Sequence, residues 1–576
     1  MAEHDLVIRA GTVVDGTGAP RRTADVAVQG ARIVEVGRVA GRGRREIDAD
    51  GAVVAPGFVD IHTHYDGQAT WEERLQPSSW HGVTTVVMGN CGVGFAPVVP
   101  GHRDRLIELM EGVEDIPGSA LHEGLSWEWQ SFPEYLTALE RRPHDVDLAA
   151  QVPHAALRVH AMGERAVAHA AATPEEIALM ARLAKEAVQA GALGFTTSRT
   201  LNHKSIDGEL IPSYDVGADE LTAIATAIGE TGTGVLQLVS DFPDPAAEFG
   251  LLRRMVRASG RPLSVSLVQF PLAPQRHREV LDLLEAAHAD GPLIRAQVAA
   301  RPVGMLLGLQ NTLHPFLTNP VWRRLADLTP AGQAARMAEP AVKREILAAQ
   351  TREKDRNRLG GNLIHKFELM YELTDPPNYE PPASDSIAAR AARAGISPVE
   401  FAYDLMIADS GRGMLYLTSA NYADGNLDAV QEMLAHPHTV PGLSDGGAHV
   451  GTICDASFPT TLLVHWTRDR DGERFDLPFV VQRQARDTAR AVGLRDRGVL
   501  APGYRADLNV IDVDGLRLHR PEMRFDLPAG GRRLVQRADG YRHTVVAGQE
   551  TYRDGEPTGA LPGRLVRGPQ PSPAEP

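Results

Sequence analysis

The chain is short of several residue types and patterns, and each shortage excludes something. Only two cysteines, Cys91 and Cys454, occur in 576 residues, so no disulfide framework can hold the fold and each thiol must be judged singly. No stretch approaches the roughly 20 consecutive apolar residues that a bilayer-spanning helix needs. The start, MAEHDLVIRAGTVVDG, lacks the basic and apolar segments of a secretory leader, so a cytoplasmic location is expected. Bases are outnumbered, 59 Lys and Arg against 74 Asp and Glu, for a formal charge of −15. With no basic stripe, nucleic acid is not expected as a partner, and neither is a membrane. Lysine is scarce: Lys185, Lys204, Lys343, Lys354 and Lys366 are the only five. No Gly-Lys-Ser/Thr phosphate loop occurs, GNCGVG lacks dinucleotide spacing, and no nucleophile elbow follows a strand.

What is present is a globular composition, 43% hydrophobic and 23% charged, ordinary for a folded chain. Length alone suggests about four domains, but a large barrel reduces that number. Strand-like runs at Asp5 to Arg9, Asp25 to Gln29 and Arg32 to Val36 open the chain, and ADLNVID (506–512) and YRHTVVA (541–547) close it. Residues 1–57 and 496–560 therefore read as one small β domain built from both ends. Between them, short apolar runs alternate with helical patterns. Gly82 to Met88, Leu193 to Thr197, Gly234 to Val239, Leu263 to Val268 and Thr439 to Leu443 read as strands. Glu134 to Arg141 and Thr173 to Ala190 read as helices, the second opened by Thr-Pro-Glu-Glu, an N-cap followed by proline. Such alternation means an α/β fold with a parallel sheet, and over residues 58–495 a (β/α)8 TIM barrel fits it best. A helical insertion is expected over about 315–435. Residues 561–576, rich in Pro, Gly and Arg, read as a disordered tail.

The sharpest motif is VVAPGFVDIHTH (53–64). Strand period is two, so Asp60, His62 and His64 share a face, and at the mouth of a parallel barrel two imidazoles can grip one metal ion. A second His-x-His, His436-Pro437-His438, sits beside proline in a loop and reads as chance. Cys91, in MGNCGVGF at the end of the next strand, can offer a thiolate ligand. Cys454 has no such setting and reads as core. Asp445, in PGLSDGGAH, ends a late strand among glycines. It can bind metal and accept a proton from water activated there. His449 is read as orienting substrate or ligand.

At these residues the sequence resembles the metal-dependent amidohydrolase superfamily, and within it the N-acyl-D-amino-acid deacylase (D-aminoacylase) branch. The likeness runs through most of the chain: IRAGTVVDGTG, APGFVDIHTHYD, GVTTVVMGNCG, His154 and Arg158 in PHAALR, AGALGF, SDGGAH and the closing APGYRADL. The resemblance implies a distorted (β/α)8 barrel with a small β-sandwich made by both chain ends. It also implies zinc held by His62, His64, Cys91 and Asp445, and hydrolysis of the amide on a D-amino acid's nitrogen, with activated water as nucleophile and Asp445 as proton shuttle. The departures are concrete. The family carries two more zinc-binding histidines on its fifth and sixth barrel strands, whereas no histidine lies between His203 and His277 here. The fifth strand offers Gln237, Ser240 and Asp241. The family's sixth-strand Ser-His-x-Lys reads Ser266-Leu267-Val268-Gln269. One zinc ion rather than two is therefore expected. Leu193 to Thr197 has no lysine to bridge two metals. His154, Arg199, His203 and Arg301 are read as contacts to a small-molecule substrate, Arg301 as a planar fork for a carboxylate. A homo-oligomer is expected. The lost lysine leaves open a cyclic amide, a small peptide or an ester as substrate. A non-catalytic barrel scaffold is the third reading, and the joint presence of His62, His64 and Asp445 argues against it.

Overall fold

The computed structural model describes residues 3–573 apart from positions 292, 352 and 356. Its first layer joins the chain's two ends. Strands His4–Val13, Arg22–Gln29, Arg32–Gly37, Gly43–Asp48 and Val53–Pro56 share a nine-stranded sheet with Leu508–Ile511, Tyr541–Val546, Gln549–Arg553 and Glu556–Pro557. Val53–Pro56 is the joint: it lies parallel to His4–Val13 and antiparallel to Leu508–Ile511, with Leu508 opposite Pro56. Ile8, Val26, Val28, Val54, Leu508 and Val545 pack as the core of this layer, as alternating apolar positions on strands should.

The middle of the chain is α/β. Phe58–Asp60, Val83–Met88 and Asp147–Ala150 pair in parallel. Val152–Pro153, Gly194–Arg199, Val235–Ser240, Leu263–Leu267, Ile294–Val298 and Thr439–Pro441 form a second parallel sheet in that order. The strands appear where the apolar runs place them, but they do not close into one barrel ladder as expected. On one side the split falls at Gln151: Ala150 pairs with Met88, while Val152 pairs with Phe195. On the other, the last strand stops at Pro441, and only a single Thr63–Gly446 bridge reaches the first strand's end. Proline has no N–H for a ladder, and Leu443 and Asp445 just beyond take φ of 58° and 49°, which ends extended pairing.

Helices Phe132–Glu140 and Pro174–Gln189 begin at capping boxes, Ser131 with Glu134 and Thr173 with Glu176, so the orphan N–H groups of the first turn are met by side chains. The stretch expected as a helical insertion, about 315–435, is not helical throughout: its strands Met370–Glu372 and Leu415–Ala420 join Val303–Leu307, which precedes it, in a separate antiparallel sheet. It shares a core, including Met305, Phe316, Met337, Ile346 and Tyr403, with the helices around it. Among the described residues no helix is long and apolar enough to cross a membrane.

The tail corrects the expectation of disorder. Gly563 N donates to His144 O at 2.8 Å, Val566 N to Leu148 O at 2.7 Å, and Gln570 N to Gly493 O at 3.0 Å. Leu565 and Val566 are buried. Its Pro and Gly content is compatible with an extended strap whose backbone groups are met by its neighbours. Positions 574–576 lie outside the described residues. Asp147, fully buried, ties these parts together: its carboxylate accepts from Arg497 Nη1 at 2.8 Å, Arg505 Nη2 at 2.8 Å and the Arg564 N–H at 3.0 Å. Removing one member of a buried ionic network costs about 3–5 kcal/mol because the remaining charges stay desolvated. Asp147→Ala should therefore lower the denaturation midpoint markedly. Measured by circular dichroism, an unchanged midpoint would contradict this role.

Candidate metal centre

The cluster is built from three separated segments. The first parallel strand ends at Asp60, and the chain continues through Ile61-His62-Thr63-His64. Asp60 Oδ1 accepts the His62 N–H at 3.2 Å, and Ser444 Oγ donates both to Asp60 Oδ2 and, at 3.1 Å, to His62 O. Backbone bonds add to this seam: Asp445 N to His62 O at 3.1 Å and His64 N to Gly446 O at 2.7 Å. The turn after the second strand brings Cys91. Gly89 has φ +84°, and a Cβ there would lie 2.2 Å from Gln151 O; at Gly92, φ +72°, a Cβ would sit 3.0 Å from Thr197 Cα. Only glycine allows this turn to lie so close to its neighbours.

His62, His64 and Cys91 each offer a ligand atom within 4.8 Å of the others, and all three are buried. His62 Nε2 is 3.3 Å from Cys91 Sγ. Asp445 Oδ1 stands 3.3 Å from His62 Nε2 and 3.6 Å from His64 Nε2. The backbone here is strained: Cys91, Asp115, Leu443, Asp445 and His449 all have positive φ, between 49° and 58°. Such conformations cluster where surrounding structure fixes a functional geometry.

Ionisable groups crowd this point and shift one another. Burial opposes ionisation of Asp445, yet His64, His62 and His449 hold its carboxylate far below the usual range. Burial also opposes protonation of His64, but Glu114, Cys91 and Asp445 raise its pKa well above that of a free imidazole. Burial pushes His62 and His449 down to about 4, leaving neutral imidazoles that suit metal and hydrogen-bond roles. Asp445 Oδ1 and both His64 ring nitrogens are buried without a well-formed hydrogen bond, as ligand atoms are when their partner is an ion. Histidine, thiolate and carboxylate donors suit zinc.

Sequence reasoning missed two neighbours. Gln297 Oε1 accepts from His62 Nδ1 at 2.7 Å and so turns Nε2 toward Cys91 and Asp445, while its Nε2 donates to Ser264 Oγ at 2.9 Å. Glu114, the last residue of helix Arg103–Glu114, is fully buried with Oε1 3.2 Å from His64 Nδ1. The alternation of strand Ile294–Val298 gave a signal for Gln297 as an inward polar residue; nothing in EGVEDIP (111–117) marked Glu114.

The remaining candidates divide. His449 lies at the cluster, with Nε2 3.9 Å from Asp445 Oδ2. His203 faces it as well: Nδ1 bonds Ser198 Oγ at 2.8 Å, and burial, with His449 and His64 nearby, pushes it down to about 3. Three expected substrate contacts are engaged elsewhere. His154 bonds Thr197 and Glu220, each at 2.8 Å, in a buried network with Arg158. Arg199 pairs with Glu248 and donates to Val216 O. Arg301 is fully buried against Asp455 at 2.8 Å, with its guanidinium 3.6 Å from the centre of the Tyr379 ring. A cation near a strand end fits a carboxylate only if no internal acid reaches it first. Gln269 likewise serves the framework, donating to Asp424 Oδ2 at 2.7 Å, and His436 and His438 face Glu285.

A sequence profile of the amidohydrolase family matches residues 45–552. The chain belongs to the amidohydrolase family. N-acyl-D-aspartate deacylase of Alcaligenes xylosoxydans xylosoxydans is 28% identical over 578 residues, covering 98% of this chain and 95% of that protein. A D-aminoacylase structure, described as having a binuclear metal centre with one-metal activation and second-metal attenuation, superposes with a TM-score of 0.65 at 26% identity. It covers 98% of this chain and 100% of the other. N-acyl-D-glutamate deacylase of Bordetella bronchiseptica, solved with zinc and a phosphonate mimic of the tetrahedral intermediate, gives 0.64 at 25% identity over 98% and 99% of the two chains. This amidohydrolase is a deacylase-like hydrolase acting on carbon–nitrogen bonds other than peptide bonds.

The amidohydrolase's two thiols, Cys91 and Cys454, are both buried and free of disulfide. A buried cysteine is inert because the reagent cannot reach its sulfur. Native protein at neutral pH should therefore react negligibly with a thiol reagent and show two thiols after denaturation. Rapid labelling of the native chain would contradict this burial.

Proposed function

We propose that this amidohydrolase is a zinc-dependent deacylase of N-acyl amino acids, with D-amino acids the favoured class, on a distorted (β/α)8 barrel flanked by a small β-sandwich. The observation that carries the reading is the convergence of the buried His62, His64 and Cys91, with the partly exposed Asp445 bringing Oδ1 to 3.3 Å and 3.6 Å from the two imidazoles. These four residues would hold the metal. The chemistry zinc supplies in such a set is Lewis acidity, which makes water more acidic and polarises a carbonyl.

The chain's own residues do the rest. As the water oxygen bonds to the acyl carbon, Asp445, kept ionised by the imidazoles around it, takes the water's proton. When the C–N bond breaks, Asp445 returns that proton to the leaving nitrogen. The products are a carboxylate and a free amino acid. His203 and His449, neutral at pH 7, border this point and would orient the substrate by hydrogen bonds. Gln297 fixes the face of His62.

A single ion is proposed because strands Val235–Ser240 and Leu263–Leu267 bring only neutral polar groups, Gln237, Ser240, Ser264 and Ser266, and strand Gly194–Arg199 contains no lysine. The D-aminoacylase relative, described as active with one metal, supports a mononuclear reading.

Turnover of a panel of N-acyl-D- and N-acyl-L-amino acids, with cyclic amides and esters as comparators, tests the proposal. Chelator should abolish hydrolysis of the N-acyl-D substrates, and zinc should restore it at about one ion per chain. Asp445→Asn should lower kcat by about 10²–10⁴-fold, the usual worth of a positioned acid–base group, while the fold stays intact by circular dichroism. Chelator-insensitive turnover, or two tightly held metals per chain, would overturn it.

A further inference from the structure

Glu114 is a carboxylate buried beside the cluster with no Lys or Arg paired to it among the described residues. Helix Arg103–Glu114 ends on it because Asp115 turns into the left-handed region, φ 53°. Its Oε1 is 3.2 Å from His64 Nδ1 and its Oε2 is 3.5 Å from His449 Nε2. Its backbone carbonyl also accepts the His449 N–H. Glu114 therefore touches two imidazoles with two separate oxygens and holds one of them by the backbone as well. Both oxygens are buried without a well-formed hydrogen bond.

We propose that Glu114 is a positioning residue that orients His64 toward the metal and holds His449 beside it, an inference that rests on the zinc reading above. A carboxylate at Nδ1 keeps the ring proton there and turns the Nε2 lone pair outward. For His64 that nitrogen faces Asp445 Oδ1, 3.6 Å away. A metal-ligating histidine commonly has such a partner on its other nitrogen, and the partner raises its basicity as a ligand. The two imidazoles are thus set differently: His62 by the side-chain amide of Gln297, and His64 by the carboxyl group of Glu114. Two strained residues, Asp115 and His449, flank the arrangement. That strain is consistent with surrounding structure forcing Glu114 and His449 together.

Zinc affinity of metal-free protein, measured by competition with a chromophoric chelator and without substrate, tests this. Outer-shell partners of metal ligands typically account for 10–100-fold in affinity. Glu114→Gln, which keeps the side-chain shape and an acceptor for His64 Nδ1, should weaken zinc about 10-fold. Glu114→Ala should approach 100-fold. The thermal midpoint of the metal-free proteins checks folding, and if the alanine variant does not fold, Glu114→Gln decides. Cobalt-loaded Glu114→Gln should show altered visible bands, because the field at the ion changes with His64. If wild type binds zinc and Glu114→Gln binds it as tightly with the same cobalt spectrum, the role of Glu114 is overturned. If wild type itself binds no zinc, the underlying metal reading falls, and this inference with it.

Discussion

The seam between His62–His64 and Ser444–Gly446 is the contact on which the site depends. It is narrow: two backbone hydrogen bonds, one bridge and the Ser444 hydroxyl shared between Asp60 and His62. Across it, the first parallel strand delivers two imidazoles and the last delivers a carboxylate. The candidate donors are close because the seam is closed, and their mutual electrostatics follow from that closeness. Imidazoles face Asp445 and favour its ionised form. Gln297 bonds the outer nitrogen of His62, and Glu114 lies 3.2 Å from that of His64. Displacing this seam by an ångström would separate the donors without removing any of them.

Much of this was legible in the sequence, for a physical reason. The candidate ligands are signalled locally: His62 and His64 follow directly on the strand that ends at Asp60, and glycines flank Cys91 and Asp445. What was not legible is what depends on tertiary packing. Glu114 differs from Glu108 and Glu111 on the same helix by nothing in composition; only its burial at the helix end sets it apart. Arg199 and Arg301 have the chemistry of substrate forks, but Glu248 and Asp455 reach them first, and no local pattern reveals which acid will be adjacent in space.

The same division holds for the fold. The strands and helices lie within a few residues of their periodic patterns, since alternation and capping are local. The split of the parallel strands at Gln151 and Pro441 is a matter of which neighbour each residue finds. So is the small antiparallel sheet of Val303–Leu307, Met370–Glu372 and Leu415–Ala420, one strand of which, Met370–Glu372, has three residues and no pattern of its own. The tail misled in the opposite direction. A proline- and glycine-rich segment lacks the means to order itself, but it can be ordered by the surface it crosses.

The chain order of the site has a consequence for biosynthesis. Asp60 and Ser444 stand 384 residues apart, so a growing chain exposes His62, His64 and Cys91 long before Asp445 exists. The early strand Val53–Pro56 likewise waits for Leu508–Ile511 to cover its open edge, and Asp147 waits for Arg497 and Arg505. An emerging chain therefore carries a partial soft-ligand set and an unpaired sheet edge together until nearly all of it has left the ribosome. Both are sealed by the arrival of the C-terminal quarter, which carries Asp445, Arg497, Arg505 and Leu508–Ile511, so completion of the candidate site and protection from edge-to-edge aggregation are coupled in time.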